Sequence, residues 1–363
     1  MNGPERIIKL DVVRGLAALL IFFLHFNAEI PFRILDYFII KQASIVVDIF
    51  FVISGFVIAF KYETAIRSFA GIRSFLFRRI VRIYPLLIYT TLVFLALSML
   101  GEKCFPEYKM IHHSLRDYIL ALANVFLMLN SLPIGEKELN FLNSPSWSVS
   151  SEFIAYIFFC ISLFLSSYLK KLTIILILII LLSGTLVFAD LLTLASRGIF
   201  GFFVGFFVNH LFYKIGYKPR IGPAGKKILS AIILFALIFT YWQSDNLSNH
   251  NLRYLIMPIV FSYVVSPLFD FPLRFPFSGT LTSLLLFFGK ISYSIYLNHL
   301  IVIILTRLIL THFRLFPLEI YGEILVLGLA TLFLTGYSML TYHIFERIKA
   351  TPTGISYARP SGQ

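Results

Sequence analysis

An all-α polytopic membrane protein with about ten transmembrane helices is the fold class this sequence predicts. Three observations predict it. Of the 363 residues, 58% are hydrophobic and only 13% charged, with a mean hydropathy of +0.86. That composition excludes a soluble globular protein. Apolar runs of spanning length recur along the whole chain. The positive charge, net +13, gathers in short segments between those runs, as the positive-inside rule describes for cytoplasmic loops. It therefore calls for no nucleic-acid partner.

The runs fall near 9–27, 43–60, 83–100, 149–168, 172–190, 194–213, 228–243, 252–269, 284–310 and 321–345. Asp11 and Arg14 sit in the first run and no small-residue cleavage pattern closes it, so it is expected to remain as a span. Pro258 and Pro267 shorten or break the later runs. The stretch from Tyr118 to Leu129 is too short to cross and predicts an interfacial or re-entrant helix.

Loop charge sets the orientation. Residues 61–82 carry Lys61, Arg67, Arg73, Arg78, Arg79 and Arg82 against Glu63, and 214–227 carry Lys214, Lys218, Arg220, Lys226 and Lys227 without an acid. These, with Lys170, Lys171 and the C-terminal Arg347, Lys349 and Arg359, all fall on one side if 118–129 does not cross. Both termini are then cytoplasmic. Residues 101–148 form one external loop holding the non-spanning helix, His112, His113 and the polar run from Gly135 to Asn140. Residues 1–349 read as a single transmembrane domain and 350–363 as a disordered cytoplasmic tail. No internal repeat supports an inverted-repeat transporter. Cys104, in a loop, and Cys160, in an apolar run, lie at different depths, so no disulfide is expected.

The informative residues are ionisable groups inside apolar runs, which are costly there and mark function. Arg14 and His25 are eleven residues apart, within about 20° of one helix face and about 16 Å along the axis. Asp11 lies one turn before Arg14. The second span contributes Asp48, which reaches the depth of His25 and is expected to orient it. A histidine held by a carboxylate can take a proton from a hydroxyl; alternatively His25 faces water and Asp48 pairs with a structural arginine. Arg78, Arg79 and Arg82 at the entrance to the third span have the bidentate donors that phosphates need, although topology alone also makes such segments basic.

Pro145 to Phe153 opens the fourth span from outside. Its serines and Glu152 serve either as a helix cap or, with Trp147, as a rim for sugar hydroxyls. Ser292, Tyr296 and His299 fall at i, i+4 and i+7, a polar stripe that either glues helices together or brings His299 to the cavity of His25. The adjacent His112 and His113 lack further ligands at zinc spacing, so no metal site is expected. No nucleophile elbow, Walker loop or dinucleotide glycine pattern is present.

Five of these motifs, in order, resemble the acyltransferase-3 membrane proteins, bacterial integral-membrane enzymes that O-acetylate surface glycans. They are Arg14 with His25; Val47 to Phe56; Arg78 to Pro85; Trp147 to Phe153; and Ile291 to His299. The frequent Glu-Arg-Pro after the last span reads Glu346-Arg347-Ile348 here. The resemblance implies an inner-membrane, multi-pass O-acyltransferase. Its donor would be cytoplasmic acetyl-CoA or another acyl-CoA, and its acceptor a hydroxyl of a cell-surface glycan or lipid-linked oligosaccharide, reached among membrane lipids. It implies His25 and Asp48 as catalytic, Arg14, Arg78, Arg79 and Arg82 as donor-binding, and Trp147, Glu152 and His299 as acceptor-side residues. Some members carry a fused extracytoplasmic esterase-like domain, for which this chain is expected to be too short. The alternative class is a proton-coupled transporter or flippase of a glycan pathway; a purely structural export subunit would leave the intramembrane charges without purpose.

Overall fold

The computed structural model describes residues 3–37, 40, 43–64, 66, 68–104, 114–133, 142–218, 221–242, 251–268, 279–315 and 317–347, and among them the regular structure is helical, without strands. His112, His113, the Gly135 to Asn140 run and the 350–363 tail lie outside the described residues. The helices are α1 (Gly3–Glu29), α2 (Val47–Tyr62), α3 (Phe69–Cys104), α4 (Leu115–Phe126), α5 (Ser146–Leu169), α6 (Leu172–Phe188), α7 (Thr193–Asn209), α8 (Pro223–Trp242), α9 (Leu252–Val265), α10 (Gly279–Lys290), α11 (Ser292–His312) and α12 (Ile320–Thr341). Single π turns at His210–Lys214 and Tyr342–Glu346 extend α7 and α12.

Seven described segments are long and apolar enough to cross a membrane: Leu10–Glu29, Ala43–Tyr62, Phe69–Met99, Ser146–Leu169, Thr193–Lys214, Ser292–His312 and Ile320–Glu346. The apolar helices Leu172–Phe188 and Leu252–Val265 are shorter. The expected third span lies inside a much longer helix. α3 has 36 residues and extends about 54 Å, well beyond a bilayer core of about 30 Å. The basic residues Arg78, Arg79 and Arg82 are therefore helical rather than in a loop, and Cys104 closes the same helix. The expected ninth span is two helices, α10 and α11, broken at Ile291. The non-spanning helix is α4, twelve residues opened by a reciprocal Ser114–Asp117 capping box.

Two pairs of same-direction helices position the polar residues. Along α1 and α10/α11, Asp11 meets Gly289, His25 meets His299 and Glu29 pairs with Arg307. Along α2 and α7, Phe51 meets Gly198, Val52 meets Gly205 and Glu63 meets His210. Glycine permits the second crossing. A Cβ on Gly55 would lie 1.8 Å from the Phe202 carbonyl oxygen, and one on Gly205 would lie 2.0 Å from that of Val52. Main chain cannot retreat as a side-chain tip can. Gly205→Ala is expected to destabilise by more than the about 1–3 kcal/mol usual for overpacking. Gly328→Ala, whose Cβ meets nothing within 4 Å, is expected to leave the melting temperature in detergent unchanged. Melting of the two purified variants checks this.

Candidate functional site

The α1 stripe is built as its periodicity predicts. Arg14 Nη1 lies 3.6 Å from Asp11 Oδ1, one turn away. Arg14 faces a cavity between α1, α2, α3, α5 and α11, about 140 Å³ in volume. Arg79 and Arg82 line the same cavity from α3, with Ser54 and Val57 from α2, Ser148, Glu152 and Tyr156 from α5, and Ser292, Tyr293 and Tyr296 from α11. Three guanidiniums thus converge from two helices that are far apart in sequence.

The acidic side of the cavity is held by short hydrogen bonds. The Glu152 carboxylate accepts from the Ser54 and Tyr156 hydroxyls. Tyr293 donates to the Ile83 carbonyl at 3.0 Å, fastening α11 to the arginine-bearing turn of α3. Ser148 donates to the Tyr296 hydroxyl at 2.8 Å, and that hydroxyl donates to the Pro145 carbonyl at 3.2 Å. Arg14 is within electrostatic reach of Arg82, Asp11, Glu152 and Glu346. Glu346 accepts a 2.5 Å hydrogen bond from Ser294.

Beyond Tyr296 lies the histidine pair. The Tyr296 and His299 rings are 5.8 Å apart, and those of His299 and His25 5.1 Å. His299 is fully buried and His25 half-buried.

Several expected groupings are corrected by these contacts. Asp48 does not orient His25. Both its oxygens are taken by Arg197 of α7, Nε to Oδ1 at 2.6 Å and Nη2 to Oδ2 at 3.1 Å, and Asp48 is fully buried. The glycines of α7 explain it. Gly198, Gly201 and Gly205 bring α2 so close that Asp48 meets α7, where a planar guanidinium matches its carboxylate in a fork. Trp147 is not a free platform at a rim. Arg197 lies 5.3 Å from its ring centre, and Phe51 packs edge-on at 6.1 Å. Glu152 lines the cavity of Arg14, Arg79 and Arg82, whereas His299 does not. Arg78 is the outlier of its cluster: it is bonded to Ser74 at 2.5 Å and lies outside the cavity lining, although Arg82, which is in the lining, is exposed as well.

Sequence reasoning missed Arg197, Ser54, Tyr156 and Glu346. Arg197 carried a usable signal, since an arginine inside an apolar run meets the test that singled out Arg14. Tyr156 stands at i+4 from Glu152, the spacing of facing side chains. Ser54 and Glu346 depend on tertiary contacts with Glu152 and Ser294 and had no local signal.

Comparison with known proteins follows the same line. Residues 7–343 match the acyltransferase-3 family, described as an acyltransferase domain. Over 165 residues the chain is 32% identical to acyltransferase MdmB of Streptomyces mycarofaciens, covering 43% of this chain and 40% of that protein. Over 167 residues it is 33% identical to protein 2 in the picA locus of Rhizobium radiobacter, covering 42% of this chain and 80% of that one. The chain thus spans well under two thirds of MdmB. No solved structure matches.

Proposed function

The chain belongs to the acyltransferase-3 family, and from that premise we propose that it is a membrane O-acyltransferase, most simply an O-acetyltransferase, using acyl-CoA on the cytoplasmic side to modify a hydroxyl of a surface or lipid-linked glycan. The observation that carries this reading is the convergence of Arg14, Arg79 and Arg82 on one cavity, one of whose lining residues, Tyr296, packs against the His25–His299 pair. In this reading the chain crosses the inner membrane ten times with both termini cytoplasmic, and α3 carries its arginines into the cytoplasmic interface.

Coenzyme A bears a pyrophosphate and a 3′-phosphate, and guanidiniums grip such groups bidentately. A cavity of about 140 Å³ is below the about 300–1,000 Å³ of a drug-sized site. In this reading it holds only part of the donor at a time. The acyl carbonyl then lies toward His25, about 16 Å along α1 from Arg14. The acceptor oxygen attacks that carbonyl, His25 takes the hydroxyl proton, the carbon–sulfur bond breaks and the thiolate leaves as the free thiol with that proton. Asp48, engaged by Arg197, serves the scaffold in this scheme.

Arg79→Ala and Arg82→Ala are each expected to raise KM for acyl-CoA about 10- to 100-fold, the value of one or two charge-assisted hydrogen bonds. Arg78→Ala is expected to change it less than threefold, because Arg78 is outside the lining. Steady-state transfer from labelled acyl-CoA in membrane vesicles tests this. Equal KM values for all three variants would remove the arginines from donor binding. Gradient-driven glycan movement without any donor would favour the transporter reading.

A further inference from the structure

Asp48 is committed to Arg197, and Glu29, one turn beyond His25 on α1, is paired with Arg307, so neither acid is the group that orients His25. His299 stands where one is needed. Its ring is 5.1 Å from that of His25, tilted by 34°, and its side chain is fully buried. Nδ1 of His299 lies 2.6 Å from the Tyr296 carbonyl oxygen. A carbonyl only accepts, so Nδ1 carries the proton. In a neutral imidazole the lone pair is then on Nε2. That Nε2 is buried and has no hydrogen-bond partner. Buried acceptors are nearly always paired, and an orphan calls for an explanation.

We propose that His299 is a positioning residue for acyl transfer: its Nε2 accepts the N–H of His25 when that ring turns toward it. The bond fixes the tautomer of His25 and leaves the other ring nitrogen as the base that faces the acceptor hydroxyl. It also stabilises the imidazolium formed when that nitrogen takes the proton. His299 thus performs the task that the sequence assigns to Asp48, with a neutral partner instead of a carboxylate. Tyr296 is the third member, since its carbonyl holds His299 in the required tautomer. The inference rests on the acyl-transfer reading above.

Two substitutions separate the ring nitrogens of His299. An asparagine amide can keep the Nδ1-type bond to the Tyr296 carbonyl and has nothing at Nε2. A glutamine amide oxygen reaches the position of Nε2. His299→Gln is expected to keep kcat within about tenfold, and His299→Asn to lose about 100-fold or more, the scale of general-base catalysis, with both KM values within threefold. Asparagine equal to or better than glutamine would overturn the proposal and leave His299 a packing group on Tyr296. A raised KM for the acceptor at unchanged kcat would also overturn it, because Nε2 would then bind substrate directly.

A donor-free arm keeps the two readings apart. Diethylpyrocarbonate modification of His25, followed by mass spectrometry, reports its nucleophilicity, which an accepted N–H bond raises. The rate is expected to fall in His299→Asn and to hold in His299→Gln. Equal rates in the wild type and both variants would overturn the His25–His299 link whatever the reaction. Wild-type protein that transfers no acyl group, with the rates ordered as expected, would overturn the acyl-transfer reading alone.

Discussion

Arg197→Ala is expected to cost the protein about 3–5 kcal/mol, the usual loss when one partner of a buried ion pair is removed and the other charge stays behind. The environment of Arg197 argues for the upper part of that range. It holds both Asp48 oxygens and the Ser44 carbonyl, lies over the Tyr254 ring at 3.9 Å and faces Trp147. α2, α5, α7 and α9 all meet at this one guanidinium. Asp48→Ala should fall comparably. Asp48→Asn, which keeps the shape and loses the charge, should be the mildest of the three. Thermal unfolding in detergent measures all of them. If Arg197→Ala kept its stability and lost only activity, the pair would belong to the reaction rather than to the scaffold.

His25→Ala is expected to behave in the opposite way. His25 is half-buried and its ring meets His299, so its removal should leave membrane insertion and melting close to the wild type. The expected loss is in kcat, about 10²- to 10⁴-fold for a general base. Quantitative blotting of membranes, set beside acyl transfer, separates the two effects. A variant that is inserted and fully active would take His25 out of the mechanism.

Much of this arrangement was legible in the sequence because helices repeat. Hydropathy located the apolar helices, although the third helix far outruns its apolar run and the ninth run is split in two, and the 100° step put Asp11 and Arg14 on the face where they pair. The polar stripe Ser292, Tyr296 and His299 is buried as its spacing implies. Partner choice between helices was not legible. Depth alone let His25 and Asp48 meet, but depth does not say which way a side chain turns about the helix axis. That rotation is set by the glycine face of α7, a property of packing that no local pattern of α2 contains. The same gap explains why Glu152 joins the arginine cavity and why Arg78 stays outside it. Spacing does not separate them: Arg82 is i+3 from Arg79 and i+4 from Arg78 and so shares a face with both, and both Arg78 and Arg79 lie over the buried Tyr62 ring.

The central claim is that this chain moves an acyl group from coenzyme A to a glycan hydroxyl through His25. Its most direct test is incorporation of radiolabelled acetyl from acetyl-CoA into the host's surface glycan, by membranes that contain the chain, its His25→Ala variant or neither. The account predicts label that requires the chain and is lost with His25→Ala while the protein remains in the membrane. No label from acetyl-CoA or from a panel of other acyl-CoA donors, or label that survives His25→Ala, would contradict it.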